Sequence, residues 1–303
     1  YGDDSGDCST PATACGSIQY AIDQADEGDL IGIAGYTDAY SYPGDPDGNP
    51  RWTYWYTESR PKPEGYYGPD NVSQVAYIDK SITLRGGYST DFAAWDPEVY
   101  KTVLRPGLSG FSARVILVAP GASPTLEWLY ILEGDATYQG GAYNPFAGYQ
   151  SAGGGVAAIG TFDGNDTLTI RNCVIAGNIG STTYNAQGGG VYLNYRDGAD
   201  LTDNTIYSNI ATDLYGQPLG QGGGVFVTSS ENVVIQSNTI YSNVATTGSG
   251  RGEGAGLWAS SANNLRITDN EIYGNTGNDN GGGIHVRASD DIQINGNVVH
   301  DNM

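Results

Sequence analysis

A repeat of short apolar segments separated by glycine and asparagine constrains the fold of this chain more than any other feature. Glycine-rich triplets begin at Gly153, Gly188, Gly222, Gly254 (as Gly-Ala-Gly) and Gly281. The aligned segments that follow them are Ile170–Ile175, Leu201–Ile206, Ile235–Ile240, Ile267–Ile272 and Ile294–Val299. The period is 34 residues from Asn204 to Asn238, 32 to Asn270 and 27 to Asn297. Apolar and polar residues alternate within the segments, which predicts strands, and the Gly, Asn and Asp between them predict turns.

Three short strands per repeat and no helical segment are typical of one coil of a parallel β-solenoid, whose strands stack about 4.8 Å apart. Helical repeats of similar length do not tolerate this much Gly and Asn. Stacking turns aligned residues into ladders. The inward apolar ladders are expected at Ile170, Leu201, Ile235, Ile267 and Ile294, and at Ile175, Ile206, Ile240, Ile272 and Val299. Amide ladders are expected at Cys173, Asn204, Asn238, Asn270 and Asn297, and at Asn178, Asn209, Asn243, Asn275 and Asn302.

The N-terminal region differs from the repeats. We expect residues 1–28 to form a disulfide loop and a capping helix, and residues 29–303 to form the solenoid, with an aromatic and proline-rich insertion at about 36–76. Ser17 is the predicted N-cap of the helix, whose apolar face carries Ile18, Ala21, Ile22 and Ala25. Such a helix can cover the open edge of the first coil.

The three cysteines predict one disulfide and one packing residue. Cys8 and Cys15 flank a short loop that contains Pro11, which suits a disulfide and an exported protein; the alternative is two unpaired thiols. Cys173 occupies the end of an asparagine column, so we expect it to be a buried neutral thiol.

Charge and hydropathy exclude two classes of partner. The chain has 34 acidic and 13 basic residues and a net charge of -21, which disfavours nucleic acid because phosphate binding relies on Lys and Arg. Polyanionic lipid or pectin-like substrates are expected to be repelled too, unless a metal bridges the charges. No run of about 18 apolar residues exists, so no segment is expected to span a membrane.

Several segments together resemble a known family: Cys15–Ile22, Ser81–Tyr88, Pro124–Glu127 and the Gly-Gly-Gly-Val…Asn-Thr-Ile-Tyr-Ser-Asn units. They are similar to bacterial secreted or cell-surface proteins with right-handed parallel β-helix repeats, of the pectin-lyase-like fold. The resemblance covers most of the chain outside residues 36–75. It implies an all-β, right-handed parallel β-helix of about eight coils with a short N-terminal capping helix. It implies no single activity, because this fold carries lyases, hydrolases, adhesins and structural proteins.

The motifs of the family's enzymes are mostly missing. Of the polygalacturonase-like motifs only the pair Asp290-Asp291 is present, and the basic candidates Arg171, Arg266 and Arg287 share no column. Sugar hydrolysis usually pairs two carboxylates at a fixed separation, and no such pair stands out. We therefore predict no catalytic residue, with a calcium-dependent polysaccharide lyase or a glycoside hydrolase as the alternative.

Aromatic residues form the predicted binding surface. Two columns are expected on the solvent side: Tyr192, Phe226 and Trp258, and Tyr207, Tyr241 and Tyr273. Their rings either stack on one another, which stiffens the rod, or form a platform for sugar rings or another subunit. The insertion adds Trp52, Tyr54, Trp55, Tyr56, Tyr66 and Tyr67.

Two sets of oxygen-bearing residues are candidate calcium ligands. One is the acidic column Asp166, Asp197, Glu231, Asn263 and Asp290, and the other is the loop residues Asp45, Asp47 and Asn49. Calcium would relieve repulsion between stacked carboxylates. The alternative for the column is turn chemistry, since Asp and Asn suit these backbone angles.

These features predict a non-catalytic extracellular structural or surface protein, adhesive or filament-forming, or a carbohydrate-binding module on the same fold. The expected partners are a surface polysaccharide or a second copy of the chain. No cap follows the last coil, so either the natural chain continues or that coil meets a neighbouring subunit head to tail.

Overall fold

The computed structural model describes residues 2–37, 53–54, 57–64, 66–107, 112–144, 148–214, 216 and 218–303, with residues 53–54, 142–144 and 148–150 described by their backbone alone. A 3-10 turn covers Pro11–Thr13 and helix α1 covers Ile18–Gln24. The strands are β1 Leu30–Ala34, β2 Thr53–Tyr54, β3 Glu58–Pro61, β4 Asn71–Ile78, β5 Thr83–Tyr88, β6 Thr102–Leu104, β7 Arg114–Val118, β8 Thr125–Glu127, β9 Leu129–Leu132, β10 Gly141–Asn144, β11 Gly148–Ala152, β12 Val156–Ile159, β13 Thr169–Arg171, β14 Val174–Ala176, β15 Ile179–Ser181, β16 Ala186–Gln187, β17 Val191–Asn194, β18 Asp200–Thr202, β19 Thr205–Tyr207, β20 Ile210–Thr212, β21 Leu219–Gln221, β22 Val225–Thr228, β23 Val234–Gln236, β24 Thr239–Tyr241, β25 Val244–Thr246, β26 Arg251–Glu253, β27 Leu257–Ser260, β28 Arg266–Thr268, β29 Glu271–Tyr273, β30 Ile284–Arg287, β31 Gln293–Asn295 and β32 Val298–His300.

Three eight-stranded sheets run along the solenoid, and together they confirm the predicted parallel β-helix of about eight coils. Sheet 1 has the order β1-β5-β8-β13-β18-β23-β28-β31, sheet 2 the order β2-β6-β9-β14-β19-β24-β29-β32, and sheet 3 the order β3-β4-β7-β12-β17-β22-β27-β30. Neighbouring strands of these sheets pair in parallel, except β3 with β4. Each coil contributes one strand to each sheet.

The register of the strands stacks the predicted apolar ladders in the interior. Ile170 pairs with Leu126 on one side and Leu201 on the other, and the column continues through Ile235 to Ile267. All five side chains are fully buried, whereas Ile294 and Val299, the last members of the two predicted ladders, are 48 and 49% exposed. Burial of such a side chain contributes about 1.5–3 kcal/mol, so the interior column stabilises every coil in the same way.

Two asparagine ladders follow the interior corners, as expected. The side-chain amide of Asn204 donates to the carbonyl of Ile170 at 2.8 Å and to Oδ1 of Asn238 at 3.0 Å. Cys173 begins this ladder: its backbone N–H donates to Oδ1 of Asn204 at 2.9 Å, and its thiol is buried. The ladders pair the backbone groups of the turns, which would otherwise be buried without partners.

The structure also contains strands that the three-strand description of each repeat misses. Strands β15, β20 and β25 form a three-stranded sheet, and β10, β11, β16, β21 and β26 form a five-stranded side sheet. These strands are mostly two to three residues long and rich in Gly, Ala and Gln. Strands this short leave only a weak alternation of apolar and polar residues in the sequence.

The N-terminal helix packs into the interior. Ser17 caps it by accepting a hydrogen bond from the backbone N–H of Tyr20 at 3.2 Å. Ile18 and Ile22 are buried in the main core. The Cys8–Cys15 disulfide is present, with a Cα–Cα distance of 5.2 Å.

Across the described ranges, no helix combines the length and the apolarity that crossing a membrane requires.

Candidate functional site

A ladder of aromatic rings lines the outer face of sheet 3. Tyr192, Phe226, Trp258 and His285 occupy successive register positions on β17, β22, β27 and β30. Their ring centroids are 5.3, 4.4 and 6.1 Å apart, and successive ring planes lie within 12° of parallel. Because each ring covers the face of the next, these rings contact mainly one another.

The expectation that this column faces solvent is wrong. Tyr192, Phe226 and Trp258 are only 2, 1 and 3% exposed. The cause lies in the glycine triplets, which fold back over the base of each ring. A Cβ on Gly222 would lie 2.9 Å from Cβ of Phe226, and a Cβ on Gly254 would lie 2.8 Å from that of Trp258. Both glycines have positive φ, so the turn requires glycine for its conformation as well as for space.

The side sheet forms one wall of a groove above this ladder. Gln187, Gln221 and Glu253 stand on β16, β21 and β26 and form their own ladder. Gln187 Nε2 donates to Gln221 Oε1 at 3.0 Å, and Gln221 Nε2 donates to Glu253 Oε2 at 2.8 Å. The indole N–H of Trp258 donates to the same carboxylate oxygen at 3.3 Å. The wall is therefore hydrogen-bonded to the floor.

The ends of the sheet 3 strands form the opposite wall. Asn194, Thr228, Ser260 and Arg287 occupy one register column there. The Arg287 guanidinium lies over the Trp258 ring, 5.2 Å from its centroid. Within the part of the chain that the structure describes, this guanidinium makes no hydrogen bond or ion pair. The groove has a volume of about 560 Å³ and crosses several coils.

The charges of the groove are held by fixed pairs. Arg251 binds Glu253 at 2.5 Å and Asp279 at 2.8 Å. Burial by itself raises the pKa of Glu253, but the hydrogen bonds from Gln221 and Trp258 and the charge of Arg251 outweigh it, so the pKa lies below its usual value. Glu253 is therefore ionised at neutral pH. Arg251 and Arg287 are thus balanced by Glu253 and Asp279, and the guanidinium of Arg287 is the cationic group of the groove that no described carboxylate pairs.

The aromatic residues predicted in the insertion differ in their exposure to solvent. Tyr67 is half exposed and lines the groove. Tyr66 is buried, so its place in the predicted surface is wrong: its hydroxyl donates to the carbonyl of Gln139 at 2.7 Å, and its ring packs beside Arg114.

The remaining predicted residues of the insertion fall outside what the structure describes. Tyr54 belongs to β2 and is described by its backbone alone. Trp52, Trp55 and Tyr56, and the candidate calcium ligands Asp45, Asp47 and Asn49, lie outside the described residues.

The second aromatic column lies on sheet 2 and does not join the groove. Tyr207, Tyr241 and Tyr273 stack with centroid distances of 5.0 Å, followed by His300 at 5.1 Å. The rings are half-buried and nearly parallel. Their faces contact one another, which supports the intramolecular role for this column.

The acidic column makes turn contacts. Asp166 accepts hydrogen bonds from the backbone N–H groups of Gly121 and Thr161 at 2.9 and 2.6 Å. Asp197 accepts from the N–H of Glu231 at 2.7 Å, and Asn263 from that of Asp290 at 3.0 Å. No three His, Cys, Asp or Glu side chains cluster at metal-binding distances in the described ranges. Calcium binding stays a prediction.

Sequence analysis missed the residues of the groove walls. A signal existed, because Gln187, Gln221 and Glu253 each stand directly before a glycine triplet and form a polar column in the repeat alignment. Arg251 and Arg287 had no such signal, since their role depends on which strands face each other across the groove.

A family model described as the right handed beta helix region matches residues 149–303, just over half of the chain. The matched segment includes the floor and both walls of the groove. No curated protein and no solved structure matches the chain.

Proposed function

The chain belongs to the right-handed β-helix family, and from this premise we propose that it is a non-catalytic extracellular surface protein that binds a polysaccharide along the groove over sheet 3. The observation that carries the proposal is the groove itself. It combines the half-buried polar side chains of Gln187, Asn194 and Thr228 with the open guanidinium of Arg287. The buried ladder of Gln221 and Glu253 supports this surface from beneath.

The shape and polarity of the groove favour a long, hydroxyl-rich ligand. Its polar side chains recur once per coil, at the spacing of about 4.8 Å between stacked strands. Gln, Asn, Thr and Ser side chains donate and accept hydrogen bonds, as sugar hydroxyls do. Arg287 is free to bind a carboxylate, and guanidinium groups form the strongest hydrogen bonds with such anions. The net charge of -21 repels densely charged polyanions, so we infer a sparsely acidic polysaccharide as the ligand, one carboxylate of which binds Arg287.

Binding without cleavage is supported by the carboxylates of the groove. Glycoside hydrolysis usually needs one carboxylic acid to protonate the leaving oxygen and a second carboxylate opposite it. Among the described lining residues Glu253 is the sole carboxylate, and its hydrogen bonds favour the ionised form. An ionised group of this kind cannot act as the acid.

An extracellular location and self-association are part of the same proposal. The Cys8–Cys15 disulfide supports an oxidising compartment. A second copy of the chain is the other proposed partner, and light scattering at high concentration should show association. A monodisperse monomer at high concentration would remove this part.

Affinity electrophoresis through gels that contain neutral or acidic polysaccharides tests the binding. At least one acidic polysaccharide should retard the chain. Arg287→Gln should weaken that retardation about tenfold, the order expected for a lost charged hydrogen bond. The matched control is Arg266→Gln, an exposed arginine on sheet 1, which should bind as the wild type. An absence of retardation by every gel, or equal retardation of both variants, would overturn the proposal.

A further inference from the structure

The corner between sheet 1 and sheet 2 contains a backbone outlier at Trp128, which has φ of 58°. The residues at the same corner of the later coils also have positive φ, and they are Asn172, Asp203, Ser237, Asp269 and Gly296. Asn172, Asp203, Asp269 and Gly296 belong to types that adopt this conformation readily, whereas a bulky side chain is strained there. Such strain persists where the surroundings enforce it, and it clusters at ligand-binding sites.

A second indole stands beside Trp128 and makes a corner with it. The rings of Trp95 and Trp128 are 6.2 Å apart with an interplanar angle of 85°. The indole N–H of Trp95 donates to the carbonyl of Gly86 at 3.0 Å, which fixes the ring although it is 47% exposed. Two perpendicular aromatic surfaces are thus held open to solvent.

A row of charges runs past the two rings. Arg85, Glu127 and Arg171 occupy successive register positions on β5, β8 and β13. Glu127, whose side chain is 3% exposed, binds Arg85 on one side and Arg171 on the other, the latter at 2.7 Å. The Arg85 guanidinium lies 6.0 Å from the centroid of the Trp95 ring. These contacts hold both guanidinium groups in place before any ligand arrives.

Together these groups line a cavity of about 450 Å³ whose remaining lining includes Asp200, Thr202 and Asp203. We propose that this corner is a second carbohydrate-binding site, and that it takes a neutral sugar unit. The indole faces would contact the apolar face of a sugar ring, and the fixed charged groups would hydrogen-bond its hydroxyls. The two arginines are opposed by three carboxylates, so the site has little net charge to attract an ionic ligand.

The site lies on a different part of the solenoid from the groove over sheet 3, and its binding can be tested separately from that of the groove. Trp128→Asn is the most informative variant, because it installs the residue that Asn172 supplies one coil later. If the strain at Trp128 is retained for binding, this variant loses affinity while its Tm stays equal or rises. A merely structural tryptophan would show the opposite, a fall in Tm.

Isothermal titration with neutral hexasaccharides of glucose, mannose and galactose tests the site. At least one should bind the wild type, and both Trp128→Asn and Trp95→Ala should weaken it about tenfold, as expected for a lost aromatic anchor. Tyr184→Ala is the control: Tyr184 is 49% exposed and forms a similar perpendicular pair with Tyr138, at 86°.

Tyr184→Ala should bind like the wild type. If Trp128→Asn lowers Tm, the binding measured with Trp95→Ala tests the site instead, because Trp95 is half exposed. No binding of any hexasaccharide, or wild-type affinity in the Trp95→Ala variant, would overturn the proposal whatever the groove binds.

Discussion

Both the backbone N–H and the side-chain amide of Asn238 donate to the side-chain oxygen of Asn270, at 2.8 and 3.0 Å. Asn238 in turn accepts the same two hydrogen bonds from Asn204, at 2.9 and 3.0 Å. Each amide is therefore both donor and acceptor, and it links three successive coils. Such buried polar networks stabilise a fold only while every member has its partners.

Replacing an interior member of this ladder should be costly. Asn238→Ala leaves the N–H groups of Asn204 and the carbonyl of Leu201 without their partner. Since each buried unsatisfied group costs about 1–3 kcal/mol, we expect the free energy of unfolding to fall by about 3 kcal/mol in urea titrations. Gln236→Ala, at the end of strand β23 just before this corner, should change it by less than about 0.5 kcal/mol. Equal effects of the two substitutions would contradict the role of the ladder.

A buried guanidinium stabilises the turn that follows sheet 3. Arg196 is fully buried and donates to the backbone carbonyls of Ala119 and Ile159, both at 2.7 Å, and of Val118 at 3.2 Å. Arg196→Met keeps much of the volume but leaves these carbonyls unpaired, so we expect a loss of about 3 kcal/mol in unfolding free energy. The matched control Arg266→Met removes an exposed arginine and should cost almost nothing. If both variants melt at the wild-type temperature, the carbonyl cluster does not depend on Arg196.

The pH dependence of stability should reveal the lowered pKa of Glu253. Its folded pKa lies below the ordinary value of 4.5, because Gln221, Trp258 and Arg251 together outweigh the burial that raises it. A depressed pKa gives stability that is fully present above the unfolded pKa and is lost as pH falls through the folded pKa. We expect Tm to fall between pH 5 and pH 3 and to fall less steeply in Glu253→Gln. Parallel Tm curves for the two proteins would show that Glu253 makes no such contribution.

Calcium binding is predicted at the loop that contains Asp45, Asp47 and Asn49. The acidic column offers less, since Asp166 and Asp197 already accept backbone hydrogen bonds. A site of this kind stabilises the folded state by mass action, so calcium should raise Tm and EDTA should lower it. Asp45→Asn with Asp47→Asn should abolish that response, and Asp197→Asn should preserve it. A Tm that does not change on addition of EDTA would contradict calcium binding.

The sequence predicts those parts of the molecule that repeat with a fixed alignment. Ile170 and Asn204 fall into columns whose burial follows directly from the period, and Cys173 is buried where its column places it. There the burial raises the pKa of the thiol to about 12, as expected of an inert packing residue.

The site was less predictable because it depends on contacts between columns. The burial of Trp258 follows from the fold-back of Gly254, which periodicity does not describe. The pairing of Arg85 with Glu127 lies in the irregular coils before residue 149, where no constant period aligns the two residues.

The central claim is that the groove binds a polysaccharide and leaves it intact. The most direct test is to incubate the chain with the acidic polysaccharide that retards it most, with and without calcium, and to measure the polymer's molar mass by size-exclusion chromatography with light scattering. We predict a complex at early times and, after dissociation, polymer of unchanged molar mass with no new reducing or unsaturated ends. Shortened polymer that Glu253→Gln no longer produces would contradict the account and identify the groove as an active site.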